Sequence, residues 1–167
     1  VQTCALPIYD CASAFQKSLR GSDADAAIYY LAKMLTAGED PRFIARRLIV
    51  CAAEDVGMAD PQAVQIAVNA YKAVELIGLP EGRIPLAQAV IYVAKAPKSN
   101  EAICAIDEAL SDIANGKDFP PPMHLRDSHY KDANKYGFGV GYVYTHNAPD
   151  IEQQFMPDEL IGRKYTK

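Results

Sequence analysis

The stretch Gly38-Glu-Asp-Pro-Arg-Phe-Ile-Ala-Arg-Arg-Leu-Ile-Val-Cys-Ala-Ala-Glu-Asp-Val-Gly-Met-Ala-Asp-Pro61 decides how this chain folds. It opens and closes on one device, Asp40-Pro41 and Asp60-Pro61. The carboxylate can accept from backbone N–H groups left over at a helix start, and the missing N–H of proline costs nothing in the first turn. A helix is therefore predicted to begin at each. Between them Phe43, Ile44, Ala45, Leu48, Ile49, Val50, Cys51, Ala52 and Val56 cover almost the whole circumference when wound at about 100° per residue. The helix from Pro41 to Val56 is expected to be central and buried, with Gly57 closing it. Its polar exceptions fall in two stripes, Arg42 with Arg46, and Arg47 with Glu54 close enough for a lateral pair.

Working outward, the same punctuation recurs from Tyr9 to Asn115, and no segment shows sustained period-two alternation. A first helix is predicted over Tyr9–Arg20, with Ala12, Phe15 and Leu19 on one side and Gly21 as its stop. Ser22 is placed to cap a second helix, with Asp25 three residues on and Ile28, Leu31 and Leu35 facing inward, up to Gly38. Downstream, Pro61–Ile77 is amphipathic, with Ala63, Ile66, Ala67, Ala70, Val74 and Ile77 in one stripe whose small residues permit close approach. Pro85–Ala96 is nearly all apolar, and a sixth helix capped by Ser99 or Asn100 turns Ala102, Ile103, Ile106, Ala109, Leu110 and Ile113 inward before Gly116. Buried and amphipathic helices alternating across short loops make an all-α, compact antiparallel array.

After Lys117 the texture changes to Pro120-Pro-Pro122 and then to Tyr130, Tyr136, Phe138, Tyr142, Tyr144 and Phe155 among glycines and polar residues. Residues 117–167 read as an extended arm packed on the helical domain of residues 21–116, since aromatics bury large areas individually. A short helix near His129–Tyr136 and a brief extended pair near Tyr142–Tyr144 are expected within it. Val1-Gln-Thr-Cys-Ala-Leu-Pro-Ile8 does not join the pattern that follows and resembles the translation of a common sequencing-library adapter. Residues 1–8 are thus expected to be foreign to the gene, with the protein continuing upstream of Tyr9.

Composition bounds the function. At 167 residues, 23% charged and 50% hydrophobic, the chain can bury a real core, and its net charge of -4 gives no general attraction to phosphate backbones. No apolar run nears the roughly 20 residues that span a bilayer, so no membrane partner is expected and the location is expected to be cytoplasmic. Cys4, Cys11, Cys51 and Cys104 form no C-x-x-C pair, and Cys51 and Cys104 read as buried fillers. There is no G-x-x-x-x-G-K-[ST] loop to hold a nucleotide. Gly137, Gly139 and Gly141 follow no buried strand and open no helix, and read as a turn. His124, His129 and His146 match no zinc spacing, even with Asp127, Asp132 and Asp150 nearby, and no Ser/His/Asp or Cys/His set is convincing. Catalytic, cofactor and metal sites are thus expected to be absent. The candidate contacts to DNA or a partner protein are basic: Arg42, Arg46 and Arg47 on the central helix, Lys131 and Lys135 among the arm's aromatics, and Arg163 with Lys164 near the C-terminus.

Several blocks are distinctive as text. They are Ser18-Leu-Arg-Gly-Ser-Asp23, Gly38 to Leu48 and Ala53 to Pro61 as quoted above, Leu79-Pro-Glu-Gly82, Ala96-Pro-Lys-Ser-Asn100, Pro122-Met-His-Leu-Arg-Asp127, Gly139-Val-Gly-Tyr142 and Gln153-Gln-Phe-Met-Pro-Asp-Glu-Leu160. Together they resemble the C-terminal region of the replication-associated recombination protein A family, also called MgsA, which is related to the eukaryotic Werner-helicase-interacting ATPase. The chain departs from the pattern around His146–Glu152, where Ala148 stands in place of an aromatic. The resemblance implies an AAA+ ATPase related to clamp loaders, with ATP and Mg bound upstream of this segment and residues 9–20 at the junction with the AAA+ lid. It implies that the helical region assembles a tetramer, and that the whole protein is a DNA-dependent ATPase acting at stalled forks, nucleoid-associated and partnered by DNA and single-stranded-DNA-binding protein. None of the family's ATPase residues falls on this sequence.

Overall fold

The structure is a computed structural model that describes residues 6–167. Among these residues the chain is all-α: six α-helices with 3-10 and π turns, and no strand. It divides into two compact units, one running to Ala105 and one over Ile106–Tyr165. The expectation that residues 1–8 are foreign falls largely outside the described residues.

Helix α1 spans Leu6–Arg20, beginning three residues before the predicted start. It ends in a reciprocal cap in which Asp23 N–H donates to the Ser18 carbonyl (3.0 Å) and Ser22 N–H to that of Leu19 (3.2 Å). Ser22 carries this turn in the left-handed region, φ 63. It therefore cannot be the next helix's cap: Asp23 accepts from Ala26 N–H at 2.8 Å, one residue later than predicted. Helix α2 then covers Ala24–Thr36. Helix α3 spans Pro41–Cys51, with Asp40 accepting from Arg42 N–H at 2.8 Å as the Asp-Pro device requires.

The predicted continuation to Val56 is helical but not α. Residues Ala52–Val56 widen into a π turn, and Gly57–Ala59 tighten into a 3-10 turn. The widened turn sets Asp55 and Val56 inward together and brings Asp55 C=O to Ser99 N–H at 2.8 Å. Gly57 has φ +49, and a Cβ there would stand 3.1 Å from the Ser99 carbonyl, so the turn needs glycine on both counts. Helix α4 spans Gln62–Ile77, α5 Arg83–Lys95 and α6 Glu101–Ala114.

Unit one is built from α1 to α5. Helix α1 packs on α2, α3 and α5, α4 lies against α3 and α5, and α2 against α5. Phe15, Leu19, Ile44, Leu48, Leu86, Val90 and Val93 are completely enclosed, and Ala63, Ala67 and Ala70 form the predicted small-residue stripe of α4. On α3 the buried face is Ile44, Ala45, Leu48 and Cys51, while Val50 is exposed, so the helix is central on one side rather than all round. Ile77 also faces out.

Asp60 ties two helices. One oxygen accepts from Gln62 N–H (3.1 Å) at the start of α4, and the other from the Tyr92 hydroxyl of α5 (2.6 Å). Lys98 closes α5 by donating to the carbonyls of Val93, Ala94 and Ala96 at 3.1, 2.8 and 2.6 Å. Tyr92→Phe is expected to cost about 1 kcal/mol, one hydrogen bond. Asp60→Ala, which loses the cap as well, is expected to cost about 2 kcal/mol. Urea unfolding of both variants checks this, and equal losses would show that the cap contributes nothing.

Candidate interaction surfaces

Of the basic residues singled out in the sequence, Arg42, Lys135 and Arg163 are paired with carboxylates. On α3, Arg42 folds back on Asp40, with Nε at 3.1 and 3.2 Å and Nη2 at 2.9 Å from its carboxylate oxygens. That fork holds the Asp40 carboxyl below its usual range. Arg47 lies over the Phe43 ring, 5.4 Å from its centroid, and does not pair with Glu54. Glu54 instead meets Arg20 of α1 at 3.5 Å, beside the shorter Arg20–Asp55 contact of 2.6 Å. The π turn carries Glu54 away from the α-helical azimuth on which the Arg47 pairing was predicated. Lys135 pairs with Asp132 at 2.7 Å. Arg46, Lys131 and Lys164 are exposed and make no salt bridge among the described residues.

In unit two Arg163 is engaged by α6. Its Nε donates to Asp112 at 2.8 Å and its Nη2 lies 3.3 Å from Glu108. Asp112 also accepts from Lys117 Nζ (3.0 Å) and the Tyr165 hydroxyl (2.9 Å). With three donors converging on it, Asp112 is only 8% exposed and its carboxyl is held down at about 2. This hub fastens the C-terminal segment back onto α6, and Arg163 stacks on Tyr165 at 4.8 Å. The sequence signal was thin: one acid on a helix rich in acids, 51 residues from its arginine.

The hub lies on the polar side of α6. Ile106, Leu110 and Ile113 sit on the opposite side at about 100° per residue and are 55%, 56% and 53% exposed. The predicted inward stripe of α6 thus faces out, and no residue of α6 enters the core cluster. Cys104 is correspondingly half-buried, whereas Cys51 is enclosed and its thiol is pushed up to about 12 by burial.

The rest of unit two is a chain of tight turns. Around Phe138 gather Tyr130 and Tyr136, at 6.2 and 6.1 Å between ring centroids, and Arg126 at 5.2 Å. A 3-10 turn over Ala133–Tyr136 stands where the short helix was predicted. The extended pair near Tyr142–Tyr144 takes an unexpected form. Gln153 replaces a strand partner, its Oε1 accepting from Val143 N–H (3.3 Å) and its Nε2 donating to the Val143 carbonyl (2.8 Å). Gly139, at φ +74, lies so close to Ser128 that a Cβ would stand 2.7 Å from that residue's Cβ. A hollow of about 380 Å³ here is lined by His124, Asp127, Ser128 and His129, among others. His129 Nδ1 is 2.6 Å from Asp127, and His124 Nε2 is 2.8 Å from the Gln154 carbonyl. Among the described residues no three metal-ligating side chains gather.

The Asp112 hub has a pH consequence with a fixed sign. A carboxyl held at about 2 in the fold and near 3.9 in an unfolded chain stabilises fully above about pH 4 and loses its contribution as pH falls toward 2. The Tyr165 NMR signals are expected to report release of the C-terminal segment in that window, and Asp112→Asn to release it already at neutral pH. Release near pH 6 in the unaltered chain would contradict the assignment.

The family model described as MgsA AAA+ ATPase C terminal matches residues 21–167. An uncharacterized AAA domain-containing protein of Mycobacterium tuberculosis is 55% identical over 95% of this chain and 36% of its own length. The replication-associated recombination protein A of Bacillus subtilis is 54% identical over 95% of this chain and 38% of its own length, and that of Escherichia coli K12 42% over 94% and 36%. The chain thus spans little more than a third of these relatives. With the match covering all the helices from α2 onward and the arm, the chain belongs to the MgsA AAA+ ATPase C-terminal family.

Proposed function

We propose that this chain is the oligomerisation module of a replication-associated recombination ATPase, assembling it as a tetramer. The observation that carries the reading is the aliphatic side of α6, half exposed over two turns on a helix whose polar side is already occupied. Exposed aliphatic stripes of this kind mark surfaces that another protein covers. The sequence holds no phosphate-cradling loop for a nucleotide. Nucleotide binding and DNA-dependent hydrolysis belong to the remainder of the longer protein, and this region contributes geometry rather than chemistry. Within that protein the assembly would act in replication, recombination and repair at stalled forks, in the bacterial cytoplasm at the nucleoid, with DNA and single-stranded-DNA-binding protein as partners. Among the described residues no helix is long and apolar enough to cross a membrane.

The alternative, a DNA- or partner-binding module using Arg42, Arg46, Arg47 and the arm, has less support. Arg42, Lys135 and Arg163 are held in ion pairs. Residues 106–165 carry ten carboxylates against six Lys and Arg, a balance that repels phosphate.

Light scattering across a dilution series is expected to give a concentration-stable mass about four times 18.2 kDa. A persistent monomer would refute assembly by this region. DNA binding by the chain, if measured, is expected to be weak; tight binding that falls steeply with salt would favour the alternative.

A further inference from the structure

A second unpartnered apolar feature, separate from α6, lies in unit one. Helices α4 and α5 leave a groove of about 820 Å³ between them. Its α4 wall includes Ile66, Ala70 and Ala73, and the alanines keep that wall low; Ile91 of α5 stands 40% exposed in it. Lys95 also lines the groove, is exposed, and has no salt bridge among the described residues. The aliphatic side of α6 has the converse form, a ridge of Ile106, Leu110 and Ile113 at spacings of four and three. Asp107 flanks this ridge, exposed and likewise without a salt bridge among the described residues.

Resting on the assembly reading above, we propose that the α6 ridge of one copy seats in the α4–α5 groove of another, with Asp107 of the first against Lys95 of the second. Charge selects this pairing over ridge against ridge. A symmetric α6–α6 contact would bring two copies of Asp107 to one seam, and like charges at a contact are penalised. Ridge into groove gives each acid a base. It also makes the contact heterologous, a different patch on each side, and such contacts repeat head to tail, closing into a ring where the rotation between copies divides a full turn.

The test uses two charge insertions at exposed positions, Ile91→Glu in the groove and Leu110→Glu on the ridge, each checked by circular dichroism and a thermal melt. Each variant alone is expected to fall to a monomer. An equimolar mixture is expected to recover a 1:1 heterodimer, since Ile91→Glu still offers a sound ridge and Leu110→Glu a sound groove. If Ile91→Glu alone keeps its assembled mass, or if the mixture stays monomeric, the inference is overturned. An unaltered chain that is itself monomeric refutes the assembly reading. An assembled parent with both variants still assembled refutes only the placement of the contact.

Discussion

Five helices complete the core of unit one. Phe15 and Leu19 of α1, Ile44 and Leu48 of α3, and Leu86, Val90 and Val93 of α5 are fully enclosed, and the alanine face of α4 packs among them. That closure depends on how α3 ends. An unbroken α-helix to Val56 would carry Asp55 and Val56 to other azimuths, whereas the π turn buries both and leaves Gly57 free to reverse the chain against Ser99. The amphipathic α6 has its aliphatic stripe exposed.

Carboxylates hold the joints, with Asp60 and Asp112 each serving more than one donor. Asp55 of the π turn binds Arg20 at the end of α1, Asp60 caps α4 and holds Tyr92, and Asp112 gathers Lys117, Arg163 and Tyr165. A shielded carboxylate left without partners is costly, so such groups fix the geometry around them. In unit two this matters most: Asp112 and Glu108 draw the C-terminal segment to the polar side of α6, and the opposite side remains available.

Much of this was legible in the sequence. The Asp-Pro pairs located the starts of α3 and α4, and the helical period found all six helices, although α3 is buried on one side only and Ile77 of the α4 stripe faces out. Boundaries slipped where two residues could serve one role: Ser22 and Asp23 both suit a helix start, and only the left-handed turn after α1 assigns the cap to Asp23. Arg47 and Glu54 failed to pair because periodicity assumes a uniform helix, which the π turn interrupts. The stripe of α6 was recognised, but amphipathicity has the same form whether a helix covers its own core or awaits another surface. The Gln153–Val143 bonds and the Asp112 hub join residues far apart in sequence and leave no local trace.

If this region assembles the protein as proposed, the aliphatic side of α6 is covered in the assembly. Amide hydrogen exchange over residues 106–113 as a function of protein concentration tests that claim most directly. Protection of this stretch that rises with concentration, alongside unchanged exchange in the enclosed helices α3 and α5, is the predicted result. Exchange that is fast and independent of concentration, in a sample that light scattering shows to be assembled, would contradict it.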